Sequence, residues 1–383
     1  MIRYSTQSLD SNDINQVVKV LKSDYLTTGP IVPLFEKKIC DITKSKFSIS
    51  ANSATSALHI SCMALGLKKN DILWTSPNSF VASANCGLYC GAKVDFVDID
   101  KNLNIDLNLL EKKLLKAKKN KALPKILIPV HFSGQSCDMK IIKKLSKKYK
   151  FKIIEDASHA FGGKYLDKPV GCCDYSDITV FSFHPVKIIT TIEGGVAVTN
   201  KKDLYSKLIA LRNHGITKSN YKFNNYKYIR SHYEQKYLGF NYRMNDVQAA
   251  LGISQIKKLK MFVSIRQKIR KFYDANLNCP KIVLPKESKF AYSTYHLYII
   301  RVKKKFRDKL LKLLKSKKIF STIHYIPIHY HQYYKKLGFK KGDFPNTEKY
   351  YEECISLPIH PKLKLNQLKY IVKNIKYFFE KNK

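Results

Sequence analysis

The segment Ser182-Phe-His-Pro-Val-Lys187-Ile-Ile-Thr-Thr-Ile-Glu-Gly194-Gly195 sets a lysine in a loop between two apolar, β-prone runs, and Glu155-Asp156 closes an earlier run of the same kind. A loop lysine can hold an aldehyde as a Schiff base. A carboxylate at a nearby strand end can keep a pyridinium nitrogen protonated, so that the ring accepts electrons. Together they are what a pyridoxal phosphate centre requires. Lys187 must lose its proton to attack a carbonyl, and a buried, cationic neighbourhood would lower its pKa toward that state. Asp156 beside a cationic ring raises the ring nitrogen's pKa and lowers its own, while His159 is placed to stack or hydrogen-bond at the ring. Gly194-Gly195 lets backbone approach closely.

A phosphate needs its own cradle. Asn52-Ser53-Ala54-Thr55-Ser56-Ala57-Leu58 opens a helical pattern with small and hydroxyl residues, leaving backbone N–H groups and the positive end of the helix dipole available. Ser53 or Thr55 could also serve as an ordinary N-cap; it is the Lys187 loop that turns the reading toward phosphate. Phe80, in Pro77-Asn-Ser-Phe80, can stack on a planar ring if its loop reaches the same crevice, or pack in the core.

The elements that must position these groups alternate. From Asn52 onward the periodicity predicts helices over 54–65, 79–89, 108–117 and 139–149, and strands over 72–75, 93–98, 125–130, 151–155, 178–183 and 196–199. This is the pattern of an α/β chain with a mostly parallel central sheet sandwiched by helices. Ligands of such sheets gather beyond the carboxyl ends of the strands, so Asp156 and Lys187 are expected in one crevice. After a helix over 203–211 and a polar, tyrosine-rich stretch near 217–237, a helix over 245–259 closes the large part. Beyond it come a long helix, strands over 295–302 and 319–325, a helix over 306–313 and a final helix near 365–380. The expected division is a large cofactor-binding domain, residues 1–255, and a smaller C-terminal α+β domain, residues 256–383, on which the N-terminal segment packs.

Composition removes several function classes. The net charge of +41 comes from 70 Lys+Arg against 29 Asp+Glu, which raises nucleic acid as a partner. The lysines are spread along nearly the whole chain, however, and arginine, the preferred bidentate reader of guanine, is scarce. No nucleic-acid partner is therefore expected. No apolar run approaches the roughly 20 residues that span a bilayer, and the start lacks a signal-peptide core, so neither membrane insertion nor export is expected and the location reads as cytoplasmic. Nine scattered cysteines without paired CxxC spacing predict buried reduced thiols and no metal site.

The sequence resembles the DegT/DnrJ/StrS family of sugar-nucleotide aminotransferases, which share the type I aminotransferase fold. The likeness covers essentially the whole chain. It rests on Tyr25-Leu-Thr-Thr-Gly-Pro30, residues 53–58, residues 85–92 with Phe96-Val-Asp98, Pro129-Val-His-Phe132-Ser-Gly134, Ile154-Glu-Asp156-Ala-Ser-His159, residues 182–195, Arg212-Asn-His-Gly215, Gly239-Phe-Asn-Tyr-Arg-Met244 and Ala249-Ala-Leu-Gly252. Ser182-Phe-His-Pro-Val-Lys187 with Thr190-Thr191, and Ile323-His-Tyr-Ile-Pro-Ile-His329-Tyr-His331, are most similar to the branch that serves pseudaminic acid biosynthesis for cell-surface polysaccharide. The resemblance implies pyridoxal 5′-phosphate, with pyridoxamine 5′-phosphate as its alternate form, Lys187 as Schiff-base lysine and acid/base, and Asp156 on the pyridine nitrogen. It implies that Ala54, Thr55 and Ser182 bind the phosphate, with Phe80 and His159 completing the cofactor site. Asn241, beside Arg243, would reach the cofactor of a second subunit, making a homodimer with shared active sites. Tyr4, the turn Tyr25, Leu26, Thr27 and Thr28, His184, Arg243, His324, Tyr325 and His329 would line the substrate site.

The implied reaction moves an amino group from L-glutamate to C4 of a UDP-linked 4-keto-6-deoxy-sugar. Rival readings are a GDP- or dTDP-linked keto sugar aminated at C4 or C3, a 3-dehydratase of the same fold, whose members replace the lysine with histidine, and a non-enzymatic nucleic-acid-binding or regulatory protein. One departure stands out: Ile192 occupies a position where relatives commonly carry glycine, and a β-branched side chain tolerates positive φ poorly.

Overall fold

The computed structural model describes residues 1–217 and 233–382, so most of the tyrosine-rich stretch lies outside the described residues. Strands β1 (Phe47–Ala51), β2 (Ile72–Thr75), β3 (Lys93–Phe96), β4 (Ile126–Ile128), β5 (Lys152–Asp156), β6 (Ile178–Ser182) and β7 (Gly195–Thr199) form a seven-stranded sheet in the order β1-β7-β6-β5-β4-β2-β3. Its neighbours are parallel except at β7, which is antiparallel to both β1 and β6. Side chains alternate across the pleat. Leu73, Ile126, Ile128 and Ile154 therefore enter one core while Trp74, Leu127 and Ile153 enter another, and all are buried. A strand covered on both faces reads as a continuous apolar run, which is why these strands were legible.

Strand β1 escaped that pattern because Ser48 and Ser50 make it look polar. In the fold both serines are buried and satisfied: Ser48 Oγ donates to the Glu36 carbonyl oxygen at 2.6 Å, and Ser50 N and Oγ each donate to Glu36 Oε1 at 2.8 Å. Arg212 pairs with the same carboxylate. A buried polar strand face is tolerated only when it is hydrogen-bonded in this way.

Helices α1 (Ser11–Leu21), α2 (Ile31–Thr43), α3 (Ala54–Ala64), α4 (Ala82–Tyr89), α5 (Leu107–Lys119), α6 (Met139–Tyr149), α7 (Lys202–Arg212), α8 (Asp246–Lys257) and α9 (Leu259–Asn276) accompany the sheet. Helix α6 shows the local logic: Met139, Ile142, Leu145 and Tyr149 form its buried stripe, Asp138 caps it, and Lys150 ends it in a left-handed conformation. Asp246 opens α8 and does a second task. Its buried carboxylate accepts from Gly29 N, Ile31 N and Val32 N at 2.8, 2.8 and 3.1 Å, so it caps α2 and fixes the exposed turn before it.

Farther along, Ile282–Val283, Tyr298–Val302 and Cys354–Leu357 make an antiparallel sheet with its own core, shared with α9 and the helices Lys304–Ser316 and Leu365–Lys381. Ile2–Arg3 pairs in parallel with Ile319–Phe320, and Ile2 enters this core. The strand expected over 319–325 ends at Phe320. Beyond it Thr322 bridges to Ser356, and Ile328, Tyr334 and Phe344 pack into the core shared by α3 and α4. That diversion carries His324 and Tyr325 toward the main sheet.

Because β6 and β7 are antiparallel neighbours, residues 183–194 form a long hairpin loop whose ends, Ser182 and Gly195, face each other. Within it Ile192 has φ of 71° and is 54% exposed. Its N–H donates to Thr190 Oγ1 at 2.9 Å, and Thr191 Oγ1 donates to the Glu193 carbonyl oxygen at 2.8 Å. The loop thus holds the conformation that glycine would take, at a cost to isoleucine of about 1–2 kcal/mol. Ile192→Gly is expected to raise the stability of the protein by about 0.5–1 kcal/mol after the entropy cost of glycine, read as a higher denaturant midpoint; a lower midpoint would contradict this account.

Candidate active site

A cavity of about 400 Å³ opens at the carboxyl ends of β5 and β6. Asp156 is the last residue of β5 and Lys187 hangs from the β6–β7 loop; both line this cavity, with Ser182 at the end of β6. Burial pushes the Lys187 amine down to about 8, and Asp156 nearby acts in the opposite sense. A buried, cationic neighbourhood was expected; the burial is there and lowers the amine, while the charged neighbour that acts on it is the anionic Asp156 side chain rather than a cation.

Asp156 is buried but well provided for. Its Oδ2 accepts from Ser83 Oγ at 2.6 Å, its Oδ1 accepts from Ser158 N at 3.1 Å, and Ser83 Oγ is itself 2.8 Å from Ser79 Oγ. These bonds fix the orientation of the carboxyl group at the cavity wall.

The start of α3 forms another wall. Ser53 caps the helix by accepting Ser56 N at 3.1 Å, while Ala54 and Thr55 face the cavity. The cap and the phosphate cradle are therefore compatible uses of one helix start. Gly195 permits this arrangement, since a Cβ there would collide with Ala54 N and Cα. Phe80 is 59% exposed at the rim, its ring centroid 6.2 Å from that of Tyr325.

Three imidazoles, His159, His296 and His324, crowd the other side, with Tyr4 and Tyr325. Burial comes first among the causes that push all three well below the usual histidine range, and Lys187 adds to each. All three are neutral near pH 7. His159 Nδ1 accepts Ser133 N at 3.3 Å, so its proton sits on Nε2, which is 3.1 Å from the Tyr325 hydroxyl. Tyr325 accepts that proton's bond, and its own hydroxyl proton is left for an acceptor in the cavity. Burial pushes the Tyr325 phenol up, so it remains a donor. His296 lies against His159 with ring centroids 4.4 Å apart, and Arg266 holds the His296 carbonyl oxygen at 3.2 Å. His184 and Glu193, 3.8 Å apart, stand partly exposed at the mouth.

Not every candidate comes together. His329 was expected to line the substrate site; the structure corrects this, for it is fully buried away from the cavity, with Nε2 3.0 Å from Glu348 Oε1 and its ring edge-on to Phe344. Tyr25, Leu26, Thr27 and Thr28 lie on the exposed turn anchored by Asp246 and do not line this chain's cavity. Asn241 is exposed, and Arg243 donates to Asn213 Oδ1 at 2.5 Å; neither lines it. Conversely, Ser83, Ser133, Glu193 and His296 were not singled out from the sequence. Ser83 is far from Asp156 along the chain, and only the sheet order brings them together. Among the described residues, no cluster of His, Cys, Asp and Glu could hold a metal ion, and no helix is long and apolar enough to cross a membrane.

The donor set fits pyridoxal phosphate: an amine with a lowered proton affinity, a carboxylate held facing the cavity, a helix start cleared by Gly195 for an anion, and a rim aromatic. Because the folded pKa of Lys187 lies near 8, below the usual 10.5, the unfolded chain binds the additional proton between those values, and stability rises with pH across that window. In cofactor-free protein, Lys187→Met is expected to be more stable than wild type at pH 7, with an advantage that shrinks as pH climbs from about 8 toward 10.5. Unfolding midpoints that differ by a constant amount across that range would refute the shift.

Comparison with known proteins agrees with this geometry. The model of the DegT/DnrJ/EryC1/StrS aminotransferase family matches residues 7–376. A Campylobacter jejuni (strain 81-176) protein named UDP-4-amino-4,6-dideoxy-N-acetyl-beta-L-altrosamine transaminase is 38% identical over 387 residues, covering 100% of this chain and 99% of the relative. The structure of Helicobacter pylori PseC, described as an aminotransferase involved in the biosynthesis of pseudoaminic acid, superposes with a TM-score of 0.90 at 33% identity, covering 99% of each chain. The sugar aminotransferase Spr1654 from Streptococcus pneumoniae, in its PMP form, superposes with a TM-score of 0.90 at 27% identity over 100% of each chain. This chain belongs to the DegT/DnrJ/EryC1/StrS aminotransferase family and is a pyridoxal phosphate-dependent nucleotide-sugar aminotransferase.

Proposed function

We propose that this chain transfers the amino group of L-glutamate to C4 of UDP-2-acetamido-2,6-dideoxy-beta-L-arabino-hex-4-ulose, a step toward pseudaminic acid, as a cytoplasmic homodimer. The observation that carries the reading is a single cavity holding Lys187 and Asp156, in a chain matched end to end by relatives named for that transamination. In the same reading residues 1–255 form the cofactor-binding domain and residues 256–383 the smaller one, which contributes His296, His324 and Tyr325 to the cavity.

Pyridoxal phosphate supplies the carbonyl that carries the amine and the ring that accepts electrons. Ala54, Thr55 and Ser182 would bind its phosphate, Asp156 its ring nitrogen, and Phe80 and His159 its ring. Lys187 Nζ, neutral in a useful fraction near pH 7, takes the proton from the α-carbon of glutamate and delivers one to C4 of the sugar in the second half. The Tyr325 hydroxyl, left free by the His159 bond, donates to the oxygen that leaves C4. Tyr4, His184 and His324 stand where the sugar nucleotide would enter.

With the UDP-linked 4-keto sugar and L-glutamate, mass spectrometry is expected to show the 4-amino product. Lys187→Ala should lower its rate by at least about 10²-fold. Faster turnover of a GDP- or dTDP-linked keto sugar, or a 3-amino product, would overturn the substrate assignment; sustained turnover near wild type by Lys187→Ala would overturn the residue's role.

Asn241 belongs to the dimer reading. It is exposed and outside its own cavity, as a residue serving a second copy must be. Asn241→Ala and Lys187→Ala subunits, each inactive alone, are expected to recover activity when unfolded and refolded together, because hybrid dimers hold one intact site. No recovery, with hybrids shown to form, would place Asn241 in its own subunit's site or in none.

A further inference from the structure

A second cavity, of about 230 Å³, is lined by parts of residues 101–103, 132–135, 283–286 and 293–301. Phe132, Val283, Leu284 and Ile299 give it an apolar wall, and Lys101, Lys286 and Arg301 give it three cations; no acidic side chain lines it. The acids of the adjoining segments are engaged with backbone: Asp100 Oδ1 accepts Asn102 N at 2.8 Å, and Glu287 Oε1 accepts Ser293 N at 2.6 Å. Arg301 Nη1 is 3.9 Å from Glu353 Oε2, too far for a hydrogen bond, so the guanidinium keeps its donors. Lys101 and Lys286 are exposed. Tyr295 also lines the cavity; it is 3% exposed, and its buried hydroxyl has no hydrogen-bond partner, which a buried phenol normally finds. Burial, and after it Glu287, push that phenol up, so it stays a donor. Three lining residues, Leu103, Ser133 and Tyr295, hold φ of 69°, 61° and 45°. Side chains other than glycine adopt this backbone rarely, and such residues gather at ligand sites.

We propose that this cavity binds a nucleoside diphosphate, with the nucleoside against the apolar wall and the diphosphate on Lys101, Lys286 and Arg301. Three cations converging without a carboxylate call for a polyanion. A bare inorganic anion would leave the apolar wall facing water, so the ligand needs an apolar, largely flat body as well. The volume suits the nucleoside, and the exposed lysines stand where a diphosphate would emerge into solvent. The Tyr295 hydroxyl gains the acceptor it lacks.

This cavity and the catalytic one are lined by different residues, yet they lie back to back. Phe132 lines the second cavity, and its ring centroid is 6.0 Å from that of His159 and 6.1 Å from that of Tyr325. Ser133 lines it while its N–H donates to His159 Nδ1. Tyr295 immediately precedes His296, which lines the catalytic cavity. The occupant would touch the ring and the backbone that position His159 and Tyr325, which gives the nucleotide a route to the reaction. The site does not depend on which keto sugar is aminated.

The test titrates the full-length holoenzyme with UDP and, separately, with ADP at physiological salt, where the diffuse lysine field is screened, and follows amide hydrogen exchange. Either nucleotide is expected to slow exchange in residues 101–103, 132–135 and 283–286. In the double variant Lys101→Glu with Lys286→Glu, both positions being exposed, that protection should need at least about tenfold more nucleotide, while any protection of the catalytic loop, residues 182–195, stays as in wild type. Protection confined to residues 182–195, no protection by either nucleotide, or a variant protected at the wild-type concentration overturns the proposal. Inorganic diphosphate protecting the same segments at the same concentration as UDP would show that the apolar wall contributes nothing and overturns the ligand class. The wild-type titrations need no variant, so a substitution that fails to fold leaves the test intact.

Discussion

Ser182 and Gly195 face each other across the antiparallel pair β6–β7, and the rest of the site depends on that pairing. It closes the loop that carries Lys187 and sets its base beside β5, whose last residue is Asp156. A parallel neighbour would have required a crossover and carried the chain away from the sheet's carboxyl edge. The same pairing presses β7 against the start of α3, an approach that only glycine at 195 allows. One backbone contact thus brings together the amine, the carboxylate and the anion cradle.

Charge is managed in opposite ways inside and outside this site. The chain carries a net charge of +41, and among the described residues most of the lysines that supply it lie at the surface. Such a field draws anionic nucleotide sugars toward the protein without specifying where they bind. Within the cavity the logic reverses. The three histidines are kept neutral by burial, Lys187 loses part of its proton affinity for the same reason, and the Asp156 carboxylate is held in place by hydrogen bonds from Ser83 and Ser158. Neutral imidazoles give the site directional donors and acceptors. The Ser133 N–H fixes the His159 tautomer, and His159 in turn frees the Tyr325 proton.

Much of this was legible in the residues themselves. The strands β2, β4, β5, β6 and β7 announce themselves as apolar runs because both faces of the sheet are covered. Lys187, Asp156, Ala54, Thr55 and Ser182 were identifiable because each sits where such a run ends or a helix begins, and the structure places all of them on one cavity. Strand β1 was not legible, since Ser48 and Ser50 disguise it until Glu36 is seen to satisfy them. The strand expected to reach Tyr325 stops at Phe320 because the chain leaves to fill the α3–α4 core with Ile328, Tyr334 and Phe344.

By itself the sequence determined the fold class, the family, the cofactor and the residues at strand ends, because these follow from local periodicity and contiguous motifs. Tertiary structure alone decided which distant side chains share a site. Ser83 reaches Asp156, Ser133 reaches His159 and His296 reaches the cavity through sheet order and packing that no local pattern encodes, while His329, next to the same motif as Tyr325, is turned inward to Glu348. It also decided protonation. The state of Lys187 and of the histidines depends on how much water the assembled fold removes from each, a quantity that exists only once elements far apart in the chain have packed.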